Sequence, residues 1–112
     1  MNLRIGQLSP HFFVSAQITP HDVTELAANG FKAIVNNRPD GEQPGQPTSD
    51  EIAAAAAGNG LEYIYLPVKS GGITAENVQD FHNKCADLEG PVLMFCRSGA
   101  RCAMLWQLAD LD

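Results

Sequence analysis

Val92-Leu93-Met94-Phe95-Cys96-Arg97-Ser98-Gly99-Ala100-Arg101 decides how this chain is read. The run Val92 to Phe95 has the length and composition of a buried strand. A cysteine ends it, a small-residue turn follows, and the pattern predicts a helix from Ala100 to about Leu108. Unpaired N–H groups at a helix N-terminus, together with the positive end of the macrodipole, form an anion cradle. A thiol aimed into that cradle feels the same field, and such surroundings lower a cysteine pKa from about 8.5 to roughly 3.5–7.5. Cys96 is therefore expected to be a thiolate nucleophile. The segment Arg97, Ser98, Gly99, Ala100 and Arg101 is expected to bind the anion, with Gly99 allowing a tight turn and Arg101 gripping two oxygens at once. Arg97 is expected to point outward and steer anions.

Working outward, strands and helices alternate. Phe12-Phe13-Val14 reads as a strand, and Thr19-Pro20-His21-Asp22 supplies a hydroxyl cap, proline at the first helical position and an acid three residues on. That helix runs through Ala28 to a stop at Gly30. Phe31 to Val35 is a buried strand, and the proline- and glycine-rich stretch from Asn37 to Pro47 is a loop. Thr48-Ser49-Asp50-Glu51 caps a helix over Ile52–Ala57, and Leu61 to Leu66 is the next strand. Thr74 caps a helix that presents Val78, Phe81, His82, Cys85 and Leu88 on one face. The expected fold is a single α/β domain over residues 1–112, with a mostly parallel sheet of about four strands flanked by helices. In such sheets ligands collect beyond the carboxyl ends of the strands. The loops Asn36–Pro47, Pro67–Ile73 and Cys96–Arg101 are expected there together.

The chain has 112 residues and a formal net charge of −6, which disfavours nucleic acid and anionic membrane as partners. No apolar run is long enough to span a membrane, and no basic-then-apolar leader is seen, so the expected location is cytoplasmic. The three cysteines, Cys85, Cys96 and Cys102, are an odd number without zinc-type spacing. No metal and no cofactor are expected. Two of the four arginines lie within Cys96–Arg101, a local exception to the acidic balance.

Cys96-Arg97-Ser98-Gly99-Ala100-Arg101 resembles the active-site loop of rhodanese sulfurtransferases. The wider chain resembles the bacterial beta-lactamase hydrolase-like, phosphatase-like domains through Ser15–Pro20, Gly30-Phe31-Lys32, Asn36–Glu42, Leu66–Gly72, and Leu105-Trp106 after the Cys96–Arg101 string. This resemblance implies a fold similar to dual-specificity phosphatases. Against the phosphatase pattern, four residues rather than five separate Cys96 from Arg101, Phe95 stands where histidine is usual, and Ser70 lies roughly where the catalytic acid would be. Protonating a departing alkoxide is typically worth about 10²–10⁴-fold, whereas thiolate attack on thiosulfate releases sulfite without such an acid.

The favoured expectation is therefore rhodanese-type sulfur transfer, with thiosulfate or persulfide sulfur passing through a Cys96 persulfide to a thiol acceptor such as glutathione. The alternative is phosphate-ester hydrolysis through phosphocysteine, in which Asp40 could substitute as the acid if its loop folds over the site. Asp40 could instead pair with Arg38 or Arg101. A non-catalytic anion-binding regulatory domain is a further alternative. Cys102 is read chiefly as a small residue of the first helical turn, which could also donate to Cys96 or form a disulfide with it. Ser70 could belong to a flap over the site.

Overall fold

The computed structural model describes residues 3–110. Its sheet contains β1 (Ile5–Gln7), β2 (Phe12–Ser15), β3 (Ala33–Asn36), β4 (Glu62–Tyr65) and β5 (Val92–Phe95), in the order β1-β2-β5-β3-β4. Among them run α1 (Pro20–Ala28), α2 (Ser49–Gly58), α3 (Ala75–Cys85) and α4 (Ala100–Ala109). The expected α/β architecture is present, with five strands instead of about four. The additional strand is β1, which pairs antiparallel with β2 at the sheet edge. Ile5-Gly6-Gln7 is too short and polar to show a strand pattern, and its order comes from the hairpin with β2.

The helix starts follow from side-chain chemistry. Thr19, Thr48 and Thr74 each accept an N–H three residues on, and Asp22, Glu51 and Asn77 reach back to the backbone of their cap. Each capping box satisfies two donors that a helix end leaves open.

β5 lies between the parallel strands β2 and β3, so all four of its residues are buried. Its side chains alternate between two cores. Leu93 and Phe95 pack with Ile34 and with Val23, Leu26 and Ile52 of α1 and α2. Val92 and Met94 pack on the other face with Val35 and with Phe81, Cys102 and Leu105 of α3 and α4. Cys96 continues that second layer. His82 departs from the expected apolar face and is exposed. It lies one 100° step beyond Phe81, at the margin of the stripe that Phe81 and Cys85 bury.

Because β2, β3, β4 and β5 are parallel, the segments leaving them emerge at one end of the sheet. Asn36 and Asn37 join three of these exits. The Asn37 N–H donates to the Phe95 carbonyl at 2.9 Å and its side-chain amide to the Leu66 carbonyl at 2.9 Å, while the Asn36 carbonyl accepts the Leu66 N–H at 2.8 Å. No helix among the described residues is long and apolar enough to cross a membrane.

Candidate active site

The Cys96 loop turns directly from the central strand into α4. Gly99 is the helix cap, with φ 94°, and no side chain caps the helix start. This left-handed backbone favours glycine, and a Cβ there would also meet the Ser15 carbonyl oxygen and Val14 Cγ2, each at 3.3 Å. The turn directs the Gly99 N–H to Cys96 Sγ at 3.0 Å.

Cys96 is only 1% exposed, yet its pKa is lowered from 9.0 to about 5. A hydrogen bond from the Cys102 thiol has the largest effect; burial opposes it, and the N–H groups of Cys102, Ser98 and Gly99 assist it. Cys102 is fully buried, and burial followed by donation to Cys96 pushes its own pKa well up. One thiol thus keeps its proton and stabilises the other as a thiolate. Both are free cysteines. Cys102 is a small buried residue of the first turn of α4, with its thiol placed to donate to Cys96.

Arg101 is held from two directions. Its Nη1 and Nη2 donate to Glu42 Oε2 and Oε1, both at 2.8 Å, and Nη1 also donates to the Val68 carbonyl at 2.9 Å. Glu42 also accepts from Arg38 Nε at 3.0 Å. The two arginines hold Glu42 well below the ordinary carboxylate range, at about 2, with the Arg101 hydrogen bond the largest cause. A guanidinium offers five N–H donors. With three of them engaged here, Nε–H and the second Nη2–H have no partner among the described residues, and they share one edge of the plane. That edge matches two oxygens of a tetrahedral anion.

Arg38 is buried, and its remaining nitrogens donate to Gln17 at 3.1 Å and Gln43 at 3.3 Å. Gln17 in turn donates its N–H to the Arg97 carbonyl at 3.4 Å. Arg38 thus supports the site through Glu42 and the loop backbone. Glu42 and Gln17 were not singled out from sequence. The i,i+4 spacing of Arg38 and Glu42 was the available signal, whereas the Arg101–Glu42 contact spans 59 residues.

Residues 3–111 match the family described as beta-lactamase hydrolase-like protein, phosphatase-like domain. The chain belongs to this family. This phosphatase-like domain is 36% identical over 108 residues to the beta-lactamase hydrolase-like protein of Agrobacterium fabrum, covering 96% of the chain. It is 38% identical over 109 residues to that of Xylella fastidiosa, covering 97%. The chain spans 25% of the length of each of these curated relatives. A candidate phosphatase from Neisseria meningitidis has a similar solved structure, with a TM-score of 0.83 at 35% identity over 91% of this chain and 72% of that one. These relatives support a phosphatase-like protein, and the expected rhodanese-type sulfur transfer finds no support among them.

Within this phosphatase-like domain, the other candidate residues separate clearly. Arg97 and Ser98 are exposed on the loop, and Ser98 Oγ accepts the Ala100 N–H at 3.4 Å. Ser70 lines a groove with Arg101 on the exit from β4. Asp40 lies in the β3–α2 loop, where Oδ1 accepts the Ser49 N–H at 2.8 Å and its own N–H donates to the Tyr65 hydroxyl at 2.9 Å. No hydrogen bond or ion pair among the described residues joins Asp40 to Cys96, Arg101 or Arg38. The pairing with Arg38 or Arg101 considered for Asp40 is made by Glu42, which accepts from both.

Proposed function

We propose that this domain is a cysteine-dependent phosphatase that hydrolyses phosphate monoesters through a phosphocysteine on Cys96. The observation that carries this reading is a cysteine sulfur that accepts the Gly99 N–H at a helix N-terminus, beside an arginine with one donor edge left uncommitted. The similarity to a candidate phosphatase over most of the chain supports phosphorus over sulfur as the atom attacked.

The Cys96 thiolate attacks phosphorus and the ester P–O bond breaks, with the electron pair leaving on the ester oxygen. The loop N–H groups and the open edge of Arg101 hold the non-bridging oxygens as charge builds on them. Water then attacks the phosphocysteine, inorganic phosphate departs and Cys96 leaves as a thiolate. The Cys102 thiol serves both steps because it stabilises the negative sulfur that attacks and later departs. Glu42 and Val68 fix the plane of Arg101 before substrate arrives, which lowers the cost of orienting it.

Phosphate release from phenyl phosphate tests this reading, together with intact-mass detection of a phosphorylated Cys96 in rapidly quenched protein. Cys96→Ser is expected to reduce release by roughly 10³-fold or more. Transfer of one sulfur atom from thiosulfate to Cys96, with no phosphate release, would overturn the proposal in favour of sulfur transfer. Neither reaction, with an ordinary thiol pKa at Cys96, would make the domain a non-catalytic anion binder.

A further inference from the structure

Where β3 and β4 end, two asparagine side chains take over bonds that the backbone ladder gives up. The strands are parallel and pair Asn36 with Tyr65. The Asn36 carbonyl accepts the Leu66 N–H at 2.8 Å, and a continued ladder would bring the Arg38 N–H to the Leu66 carbonyl. The chain turns off instead. The Arg38 N–H donates to Asn36 Oδ1 at 2.8 Å, and the Asn37 side-chain amide donates to the Leu66 carbonyl at 2.9 Å. Pro67 has no N–H to offer, and the Val68 N–H returns to the Asn37 carbonyl at 2.9 Å. Asn37 thus holds the chain on both sides of Pro67. The Val68 carbonyl fixed in this way accepts Arg101 Nη1 at 2.9 Å.

Stability does not explain an asparagine here. Asn37 is fully buried, and its Oδ1 has no hydrogen-bond partner among the described residues. Buried polar atoms are nearly always paired, because an unpaired one forfeits its hydration. The reversed amide would set Oδ1 against the Leu66 carbonyl, so the bond to Leu66 itself leaves Oδ1 as the orphan. Leucine has a similar shape and no polar atom to strand. What asparagine adds is the donor. We propose that Asn37 is a positioning residue for Arg101: its amide holds the exit from β4 so that the Val68 carbonyl fixes the guanidinium plane. This rests on the reading of Arg101 as the phosphate clamp. Arg38 leaves the same junction toward Glu42, so the two holds on Arg101 separate at Asn36-Asn37.

Inorganic phosphate is the probe, and protection of Cys96 from iodoacetamide measures its affinity. Asn37→Leu should weaken phosphate binding by roughly two- to tenfold, the scale of one hydrogen bond. A thermal melt checks folding, and where leucine overpacks the site, Asn37→Ala removes the same donor without added bulk. Two further readouts separate positioning from general loosening. In an Arg101→Ala background, Asn37→Leu should weaken phosphate binding no further, because the residue it acts through is gone. The pH midpoint for alkylation of Cys96 should match that of the parent, because the donors to its sulfur come from the loop and α4. Unchanged phosphate affinity in the folded variant, an equal loss in the Arg101→Ala background, or a displaced midpoint would overturn the assignment. Each leaves the phosphatase reading intact while the parent releases phosphate from phenyl phosphate. No protection by phosphate and no phosphate release in the parent would overturn both.

Discussion

The buried Cys102 thiol donates to Cys96 from the first turn of the helix that Cys96 faces, and this is the largest influence lowering the Cys96 pKa to about 5. Removing the donor in Cys102→Ala should raise the Cys96 pKa, because burial then opposes the thiolate with fewer hydrogen bonds on the other side. Cys102→Ser keeps a hydroxyl and should recover part of the shift. Iodoacetamide rate against pH reads both directly: the parent midpoint is expected near 5, with the alanine variant higher and the serine variant between them. An unchanged midpoint in Cys102→Ala would remove Cys102 from the account of activation. The same shift links Cys96 to stability. A folded pKa below the unfolded value contributes stability that is complete above about 9 and is lost as pH falls toward 5. Cys96→Ala should therefore narrow the stability difference between pH 9 and pH 5.

Glu42 joins two arginines that share no other ion-pair partner among the described residues, and one of them, Arg38, is only 3% exposed. Glu42→Gln leaves that buried cation without its carboxylate and should cost about 2 kcal/mol, the range for hydrogen bonds to charged groups. It should also release Arg101 and reduce kcat/KM by roughly tenfold or more through looser positioning. Glu42 has its pKa lowered from 4.5 to about 2, so its contribution is complete above about 4.5 and is lost as pH falls through 2. Urea midpoints for parent and variant should therefore converge on acidification from pH 4.5 toward pH 2. A constant gap would show that shape rather than charge sets the cost.

Gly99→Ala offers a comparison with Gly30→Ala. Both glycines have positive φ, 94° and 89°, but an added Cβ at Gly30 meets nothing within 4 Å. Alanine at Gly30 should cost about 1 kcal/mol for backbone conformation alone. At Gly99 the contacts at 3.3 Å with Val14 and Ser15 add to this, so the loss should exceed that of Gly30→Ala by about 1 kcal/mol or more. Any displacement of the loop also lengthens the Gly99 N–H bond to Cys96, so only Gly99→Ala should raise the thiol pKa. Equal costs and unchanged alkylation profiles would separate the turn from thiolate activation.

How far these features could be read from sequence depends on whether their causes are local. The Cys96–Arg101 turn is local: an apolar strand, a thiol, a glycine and a helix start are consecutive, so its geometry follows from neighbouring residues. The threonine caps are local in the same way. The edge strand β1 has no such signature, because one isoleucine beside a glycine and a glutamine is ordered only by its hairpin partner. The choice between Asp40 and Glu42 is also non-local. Both acids lie close to Arg38 in sequence, but Asp40 is drawn to the start of α2 by Ser49, which leaves Glu42 to reach both arginines.

Asp40→Asn tests that division of labour. The Asp40 carboxylate accepts the Ser49 N–H at 2.8 Å at the positive end of α2, so loss of its charge should cost about 0.5–1 kcal/mol, as for a helix-terminal anion. Because Asp40 makes no hydrogen bond or ion pair with Cys96 or Arg101, kcat/KM for phenyl phosphate should change by less than about threefold, well short of the 10²–10⁴ expected from losing a general acid. A series of aryl phosphates with leaving groups of graded pKa separates the two roles further. If no acid assists departure, parent and Asp40→Asn should show the same steep dependence on leaving-group pKa. A shallow dependence in the parent that steepens in the variant would establish Asp40 as the proton donor, and would mean that its loop leaves Ser49 to close over Cys96 during turnover.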